Sequence, residues 1–270
     1  YGSMPNGTIK TFSRGGSDVT GSIVARATKA KLYENLTDVS GCLICDPRIV
    51  NNPEPIKTIT YRELRELAYM GATVLHEDAI FPVRAAGIPV NIKNTNQPED
   101  RGTMIVSESA EHCDHIITGI AGKKGMSVIN IEKDKMNSEI GFGKNVLRAL
   151  EKSNVSFEHM PSGVDTMSVV IATEALAGKE TAIIDEIKSR VHPDQIYIES
   201  NLALIAVVGR GMKSARGTAA ILFSALADAR VNIKMIDQGS SELNIIVGVE
   251  EEDFEVAIKA IYKRFIGINQ

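Results

Sequence analysis

Apolar and polar positions alternate between strand-like and helix-like spacings over residues 8–106. Thr60 and Glu63 have the spacing of a capping box, and Leu64 and Leu67 give the helix that follows an inward face. The other elements predicted in this half are strands over residues 8–12, 32–36 and 88–92 and helices after Asp18 and over residues 74–86. Alternation of strands and helices favours a largely parallel sheet with helices packed on its faces.

The second half of the chain contains an internal repeat. A single gap-free offset aligns residues 128–132 with 204–208 and Gly141 with Gly217. The same offset aligns residues 155–157 with 231–233, 167–172 with 243–248, and 181–191 with 257–267. Each unit has the order strand, glycine turn, amphipathic helix, strand, strand, helix. This order predicts a four-stranded sheet with one face covered by two helices, built twice.

Composition is that of an ordinary globular protein. Of the 270 residues, 43% are hydrophobic and 24% are charged, and the formal net charge is −4. This slightly acidic balance, with no cluster of lysine and arginine interleaved with aromatic residues, argues against a nucleic-acid partner. No signal-peptide pattern and no apolar run of bilayer-spanning length occurs in the sequence. We therefore expect a cytoplasmic protein with no membrane partner.

The three cysteines could suggest a redox or metal site. Cys42 and Cys45 have the spacing of a redox or zinc pair, and Cys113 stands apart. A structural zinc ion needs four ligands, and the neighbouring sequence offers no further pair. We interpret the cysteines as buried free thiols in a reducing compartment and predict no metal site formed by protein ligands alone.

The string Phe-Ser-Arg-Gly-Gly-Ser-Asp over residues 12–18 carries the clearest chemical signal. Two glycines let backbone N–H groups approach an oxygen-rich ligand, and the helix that follows adds unpaired N–H groups and a positive dipole end. Arg14 supplies a guanidinium group that can pair with a carboxylate or a phosphate. This chemistry predicts an anion site, although a glycine turn followed by a Ser/Asp helix cap would explain the string taken alone.

Further motifs follow this string in a fixed order. They read Thr37-Asp38-Val39-Ser40-Gly41, then Asp46-Pro47-Arg48, then Met70-Gly71-Ala72-Thr73-Val74-Leu75-His76, then Ile88-Pro89-Val90-Asn91-Ile92 leading into Asn94-Thr95-Asn96 and Gly102-Thr103. With the Arg-Gly-Gly-Ser-Asp string, their order and spacing resemble those of the aspartokinases, which are members of the amino acid kinase family. The resemblance extends over essentially the whole chain.

This resemblance implies an α/β fold with the C-terminal part of a parallel-sheet amino acid kinase domain over residues 1–108. The repeated half is similar to the ACT domain, a ligand-sensing module of amino-acid metabolism. It implies two ferredoxin-like βαββαβ units over residues 115–192 and 200–266. Aspartokinases carry, upstream of the matched motifs, a Lys-x-Gly-Gly turn that grips phosphates and a substrate-binding glutamate, and neither occurs here. We therefore expect a C-terminal portion of a longer enzyme that is inactive alone.

The implied activity is transfer of the γ-phosphate of ATP to the β-carboxylate of L-aspartate, with Mg²⁺ brought by the nucleotide. This is the first step towards lysine, threonine and methionine. The resemblance gives Arg14 and Asp18 catalytic roles. Arg14 would clamp a substrate carboxylate, Gly15, Gly16 and Ser17 would surround it with donors, and Asp18 would hold the substrate amino group or organise the cations.

The resemblance also implies a set of nucleotide contacts. These are Thr37 and Asp38 at a strand end, Leu43 where many relatives have an aromatic residue, Arg48 as a phosphate contact, and the backbone at Thr73 and Val74. Thr73 stands where the family usually has lysine, so one cation near the nucleotide is missing.

The first sensing unit carries the implied effector site. It consists of a turn and the strand that follows it, namely Met136, Ile140, Gly141, Phe142, Gly143, Ser156, Phe157 and Glu158. A carboxylate at Glu158 suits the side-chain ammonium of L-lysine, and L-threonine is the alternative effector. ACT units commonly pair through sheet edges, so we expect a homodimer or a dimer of dimers joined by these units.

Two other functions stay open from the sequence. The first is a non-catalytic, amino-acid-sensing regulatory chain of an aspartokinase, although such chains normally lack the Arg-Gly-Gly-Ser-Asp region. The second is another amino acid kinase such as a glutamate kinase, with which the paired ACT-like units conflict.

Overall fold

The computed structural model describes residues 2–11, 16–72, 80–108 and 115–267. The first half contains β1 (Gly2–Ser3), β2 (Ile9–Lys10), α1 (Gly16–Ala27), β3 (Tyr33–Thr37), β4 (Thr58–Thr60), α2 (Tyr61–Tyr69), α3 (Phe81–Ala85), β5 (Val90–Asn94) and β6 (Thr103–Val106). The second half contains β7 (Gly119–Glu132), α4 (Phe142–Lys152), β8 (Thr166–Ala172), α5 (Thr173–Leu176), α6 (Glu180–Val191), β9 (Gln195–Val208), α7 (Thr218–Asp228), β10 (Met235–Asp237), β11 (Asn244–Glu250) and α8 (Phe254–Phe265).

The sheet of the first half has the strand order β3-β5-β6-β4. The pairs β3–β5 and β4–β6 are parallel, as the alternation of strands and helices predicted. The central pair β5–β6 is antiparallel, because a short connection over residues 95–102 returns the chain directly beside β5. The sheet is therefore mixed rather than uniformly parallel.

The capping box at the start of α2 is confirmed. Thr60 Oγ1 accepts a hydrogen bond from the Glu63 backbone N–H at 3.3 Å, and the Thr60 backbone N–H donates to Glu63 Oε2 at 2.9 Å. The helix predicted over residues 74–86 is described only from α3 onwards, since residues 73–79 lie outside the described residues. Pro82 stands in the first turn of α3, where its missing N–H group leaves no hydrogen bond unmade.

The second half forms one five-stranded antiparallel sheet with the order β10-β11-β9-β7-β8. The repeat is confirmed in its geometry: β7 and β9 occupy equivalent places, and so do α4 and α7. Each of these two helices follows a glycine in the left-handed conformation, with φ of 86° at Gly141 and 85° at Gly217. A side chain at either position would strain the turn, so the glycines fix where the helices begin.

The two repeats interlock instead of standing side by side. The later part of β7 pairs with β8 and with the start of β9, while its first residues, 119–123, pair with residues 204–208 of the second unit. Helices α4 and α6 cover one core, which contains Ile129 and Ile131 of β7. The division of this half at residues 115–192 and 200–266 stays a prediction.

The two halves of the chain share a hydrophobic core. Leu67 of α2 and Ile120 of β7 belong to the same buried cluster as Val207 of β9. A β-carbon at Gly119 would lie 2.7 Å from Leu67 Cδ1, so α2 approaches the sheet closely at this point. In the part of the chain that the structure describes, no helix combines the length and the apolar character that a bilayer crossing requires.

Candidate functional site

Asp18 lies in the first turn of α1 and is held by the neighbouring strand. Its Oδ1 accepts a hydrogen bond from Asn35 Nδ2 at 3.1 Å, and the buried Asn35 also lies 3.2 Å from the Tyr33 hydroxyl oxygen. Burial raises the pKa of Tyr33, so its hydroxyl stays protonated. A β-carbon at Gly21 would come within 2.5 Å of that hydroxyl, which shows how tightly α1 packs on β3.

Sequence reasoning missed Asn35, although a signal was present. Tyr33 and Asn35 are two residues apart on β3, so their side chains share one face of the strand, and that face meets α1. A buried amide in a strand needs a hydrogen-bond partner, and the Asp18 carboxylate provides one. Gly16 and Ser17 are in the same first turn of α1, and Arg14 and Gly15 lie outside the described residues.

The motifs at the ends of β3 and β5 come together at one sheet edge. The Thr95 backbone N–H donates to the Thr37 carbonyl at 2.8 Å, and Asn94 Nδ2 donates to Ser40 Oγ at 3.0 Å. Ser40 Oγ in turn donates to Asp100 Oδ2 at 2.5 Å. The segments 37–41 and 94–103 therefore form one rim at the carboxyl ends of two parallel strands, where open α/β sheets bind ligands.

Gly41 and Thr103 fix this rim to the sheet. Gly41 has φ of 107°, and a β-carbon there would lie 2.4 Å from Thr103 Oγ1. Thr103 Oγ1 accepts from the Cys42 backbone N–H at 2.8 Å and donates to the Ile56 carbonyl at 2.6 Å. Glycine is therefore required at position 41 by both its backbone angle and its close contact.

The predicted nucleotide residues on this rim are accessible. Thr37 Oγ1 donates to Asp38 Oδ1 at 3.2 Å, and Leu43 is exposed next to a bridge to Pro55. Arg48 binds the carboxylate of Asp46, with Nη2 to Oδ2 at 2.7 Å and 82% of the Arg48 side chain exposed.

The hydrogen bonds from Arg48 lower the pKa of Asp46, so the pair stays ionised. A phosphate that binds Arg48 would therefore compete with Asp46 or use the outward side of the guanidinium group. Thr73 and Val74, the other predicted nucleotide contacts, lie outside the described residues.

The described cysteines are packing residues. Cys42 and Cys45 are each 3% exposed, and burial raises the pKa of Cys42 to about 12 and that of Cys45 to about 11. Thiols with such pKa values are protonated at neutral pH, so they neither attack nor bind metal readily. Among the described residues, no cluster of three or more His, Cys, Asp and Glu side chains could hold a metal ion. Cys113 lies outside them.

The predicted effector turn is anchored from inside the first unit. Met136 and Phe142 are buried in its core, at 4% and 3% exposure, while Ile140 between them is fully exposed. Gly141 makes the left-handed turn into α4, and Gly143 follows in the first turn of that helix. The turn thus presents an uncovered apolar side chain on a rigid base.

The strand segment predicted to face this turn is only partly covered. Ser156 is exposed, and Phe157 keeps 39% of its surface exposed. The Glu158 backbone N–H donates to the Val170 carbonyl at 2.8 Å, so this segment extends the sheet beside β8.

The Glu158 carboxylate already has partners within the chain. Lys123 Nζ lies 2.7 Å from Glu158 Oε2, and the Tyr69 hydroxyl also hydrogen-bonds this carboxylate. Burial would raise the pKa of Glu158, but the hydrogen bonds from Lys123 and Tyr69 outweigh burial, and the pKa lies below its usual value. Glu158 is therefore a stable carboxylate in a half-buried place.

The carboxylate of Glu63 joins the two halves of the chain. The sequence indicated only its capping role. Glu63 is fully buried, and its Oε1 accepts from Thr118 Oγ1 at 2.6 Å and from the Arg210 backbone N–H at 2.8 Å. Its Oε2 accepts from Arg210 Nη1 at 2.8 Å in addition to the capping bonds from Thr60. Burial would raise the pKa of Glu63, but these hydrogen bonds lower it below its usual value.

Further bonds make α2 the contact element between the halves. Asn244 Nδ2 at the start of β11 donates to Glu66 Oε2 at 2.7 Å. Arg210 opens a short 3-10 turn over Arg210–Lys213, and the corresponding turn of the first unit is Met136–Ser138. The second unit's equivalent of the predicted effector turn is thus bound directly to α2.

Comparison with known families gives two matches. Residues 2–94 match the amino acid kinase family, and residues 205–265 match the ACT domain. The chain is 44% identical to aspartokinase 3 of Bacillus subtilis over 266 residues, which cover 98% of the chain and 58% of that protein.

Solved structures agree with these matches. The crystal structure of Clostridium acetobutylicum aspartate kinase matches with a TM-score of 0.92 and 60% identity over 98% of the chain and 61% of that structure. Escherichia coli aspartokinase III, solved with aspartate and ADP, matches with a TM-score of 0.77 and 25% identity over 97% of the chain and 58% of that structure. The same enzyme with lysine and aspartate gives a TM-score of 0.74 at 25% identity, over 98% of the chain and 58% of that structure.

The chain therefore spans 58% of the length of Bacillus subtilis aspartokinase 3 and 61% of the length of the Clostridium acetobutylicum aspartate kinase structure. The expected combination of an amino acid kinase segment and an ACT domain is confirmed by the family matches, and the repeated fold of the second half is consistent with a second ACT-type unit. The similarity extends through both halves and the junction between them. The chain is similar to the aspartokinases over nearly its whole length.

Proposed function

We propose that the full-length protein containing this chain transfers the γ-phosphate of ATP to the β-carboxylate of L-aspartate. The observation that carries this proposal is the placement of Asp18 by Asn35 in the first turn of α1, beside the rim formed by segments 37–41 and 94–103. The aspartate and ADP bound in Escherichia coli aspartokinase III support the choice of substrate and nucleotide.

The residues of the α1 turn suit an anionic amino acid. Arg14 would clamp a substrate carboxylate, and Gly15, Gly16 and Ser17 would add donors at the positive end of the α1 dipole. Asn35 fixes the direction of the Asp18 carboxylate, which would then meet the substrate ammonium or a cation. Phosphoryl transfer demands mainly positioning and neutralisation of charge, and the fixed carboxylate would serve it by orienting the substrate ammonium group or by holding a cation.

The rim would receive the nucleotide. Thr37, Asp38 and Leu43 would contact the nucleoside, Arg48 the phosphates, and the backbone at Thr73 and Val74 the base. Carboxylate oxygens such as those of Asp18 suit Mg²⁺, a hard cation that prefers oxygen ligands. When bound with ATP, Mg²⁺ would neutralise charge on the transferring phosphate.

The test is steady-state kinetics of the full-length protein with Asp18→Asn. We expect kcat/KM for aspartate to fall at least about 100-fold, since charge at a transferring group contributes several kcal/mol. Glu34→Gln is the matched control, because Glu34 is an exposed carboxylate on the same strand as Asn35. Equal activity of Asp18→Asn and Glu34→Gln would remove Asp18 from the active site.

We also propose that an amino acid regulates the enzyme at the first sensing unit, with L-lysine as the effector. The turn at Ile140 and Gly141 and the segment Ser156–Glu158 would contact it. Two observations support lysine: the stable Glu158 carboxylate suits an ammonium group, and Escherichia coli aspartokinase III has been solved with lysine. L-Threonine is the alternative, because its hydroxyl needs no carboxylate partner.

The sensing units would also form the homodimer. The segment over residues 158–162 already pairs with the outer side of β8, so among the described strands it is β10, at the other end of the five-stranded sheet, that keeps a side without a neighbouring strand. A second copy could cover such an edge, giving a dimer or a dimer of dimers. Light scattering of the full-length protein should show at least a dimer at micromolar concentration, and a monomer would contradict the proposal.

A further inference from the structure

Lys123 forms an ion pair with Glu158, whose carboxylate the proposed effector site would use. It stands in β7 next to an irregularity in the pairing with β9, and Lys123 Nζ lies 2.7 Å from Glu158 Oε2. The two side chains are only 22% and 17% exposed, so the pair is largely shielded from water. A half-buried ion pair of this kind is stronger than a solvated surface pair.

The same ammonium group contacts the kinase half of the chain. Lys123 Nζ lies 4.3 Å from the centroid of the Tyr69 ring, a distance typical of a cation–π contact. Tyr69 is the last residue of α2, the helix that joins the two halves. Its hydroxyl hydrogen-bonds Glu158, and burial followed by the nearby Glu158 raises the pKa of Tyr69 to about 12.

Three segments therefore meet at one ammonium group: α2 through Tyr69, and two parts of the first sensing unit, β7 through Lys123 and the segment that precedes β8 through Glu158. We propose that Lys123 is an internal occupant of the effector-ammonium position, and that a cationic effector binds Glu158 by displacing Lys123 from both Glu158 and Tyr69. This inference rests on the proposed effector site and adds the residue that determines its response to charge.

Simple electrostatics makes the two occupants compete. Glu158 carries one negative charge, and two ammonium groups at one half-buried carboxylate repel each other more strongly than they would in water. Binding of the effector L-lysine therefore weakens the contact of Lys123 with Tyr69. By linkage, that contact weakens the binding of L-lysine by the same factor. An effector with an uncharged side chain, such as threonine, would leave Lys123 in place and would not disturb Tyr69.

The test is calorimetry of L-lysine binding to the full-length protein with Lys123→Met, Lys123→Arg and Lys124→Met. Methionine keeps an unbranched side chain of similar length without the charge, and arginine keeps the charge. Lys124 is the matched control, since its partner Glu255 lies 3.9 Å away and belongs to α8. L-Norleucine, which has the lysine stem without the ε-ammonium group, is the control ligand.

We expect Lys123→Met to bind L-lysine about tenfold more tightly, which corresponds to about 1.4 kcal/mol. Lys123→Arg and Lys124→Met should bind it like the unsubstituted protein, and L-norleucine should not distinguish the variants. Equal or weaker binding of L-lysine to Lys123→Met would overturn the inference. If neither the unsubstituted protein nor Lys123→Met binds L-lysine, the proposed effector site and this inference are both refuted. The kinase proposal is tested separately by an assay of aspartate phosphorylation.

A second measurement keeps Lys123 unchanged. The 270-residue chain contains no tryptophan, so Tyr69→Trp introduces a reporter ring beneath the ammonium group. Saturating L-lysine should change the emission added by this tryptophan, and L-threonine should not. No change with L-lysine, at concentrations where calorimetry shows binding, would overturn displacement of Lys123 even if Lys123→Met cannot be purified.

Discussion

Removal of the Arg210 guanidinium group should destabilise the junction between the two halves of the chain. Glu63 is fully buried, and Arg210 Nη1 lies 2.8 Å from its Oε2. The change to test is Arg210→Met, which keeps an unbranched side chain and leaves the carboxylate buried without its cation. Breaking a buried pair in this way costs about 3–5 kcal/mol, and the remaining bonds from Thr60 and Thr118 place the expected loss near the lower end, about 3 kcal/mol.

The complementary change is Glu63→Gln. The amide keeps the shape of the side chain but turns one acceptor into a donor, which then faces the N–H groups of Thr60 or Arg210. One unsatisfied buried group costs about 1–3 kcal/mol. In the double variant the loss should be smaller than the sum of the two single losses, because the same ion pair is broken in each.

The assay is urea unfolding followed by circular dichroism, with Lys213→Met as the control. Lys213 lies in the same 3-10 turn as Arg210 and is exposed, so its replacement should change the free energy of unfolding by less than about 0.5 kcal/mol. A loss below about 1 kcal/mol for Arg210→Met would refute the role assigned to the buried pair.

The pH dependence has a definite sign. The folded protein holds the pKa of Glu63 below its usual value, so the unfolded state binds the proton more readily. The contribution of Glu63 is therefore fully present above the unfolded pKa of about 4.3 and is lost as pH falls through the lower folded pKa. The difference in stability between the unsubstituted protein and Glu63→Gln should be constant near neutral pH and shrink only in acid.

Three further outcomes are expected. Asn35→Ala should lower kcat/KM for aspartate by about tenfold to 100-fold with little change in fold, because Asp18 loses the bond that orients it; unchanged kinetics would contradict this role. Gly41→Ala should lower the free energy of unfolding by at least about 1–2 kcal/mol in urea titrations, since position 41 has φ of 107° and no room for a β-carbon; full stability would show the rim to be adaptable. Glu158→Ala should weaken inhibition by L-lysine at least about tenfold with uninhibited turnover unchanged, and equal inhibition would exclude Glu158 from the effector site.

Local signals in the sequence predicted much of the fold. The spacing of Thr60 and Glu63 predicted the start of α2, because a capping box is made by residues three apart. The repeat predicted two equivalent helices after Gly141 and Gly217, since only glycine adopts the left-handed turn there without strain. Both features depend on neighbours along the chain.

Long-range partners could not be predicted in the same way. Glu63 and Arg210 are 147 residues apart, and a capping glutamate gives no sign that a distant arginine will also bind it. The pairing of residues 119–123 with the second unit was missed because alternation of apolar residues marks a strand but not its neighbour. Lys123 likewise gave no signal, because its contact with Glu158 joins residues 35 positions apart in the sequence.

The measurement that tests the central claim most directly is formation of acyl phosphate by the full-length protein with L-aspartate or L-glutamate as acceptor. ATP and Mg²⁺ are supplied, and the product is trapped with hydroxylamine. We expect hydroxamate from L-aspartate, little or none from L-glutamate, and loss of the product in Asp18→Asn but not in Glu34→Gln. Preference for L-glutamate, or product formation that survives Asp18→Asn undiminished, would contradict the account.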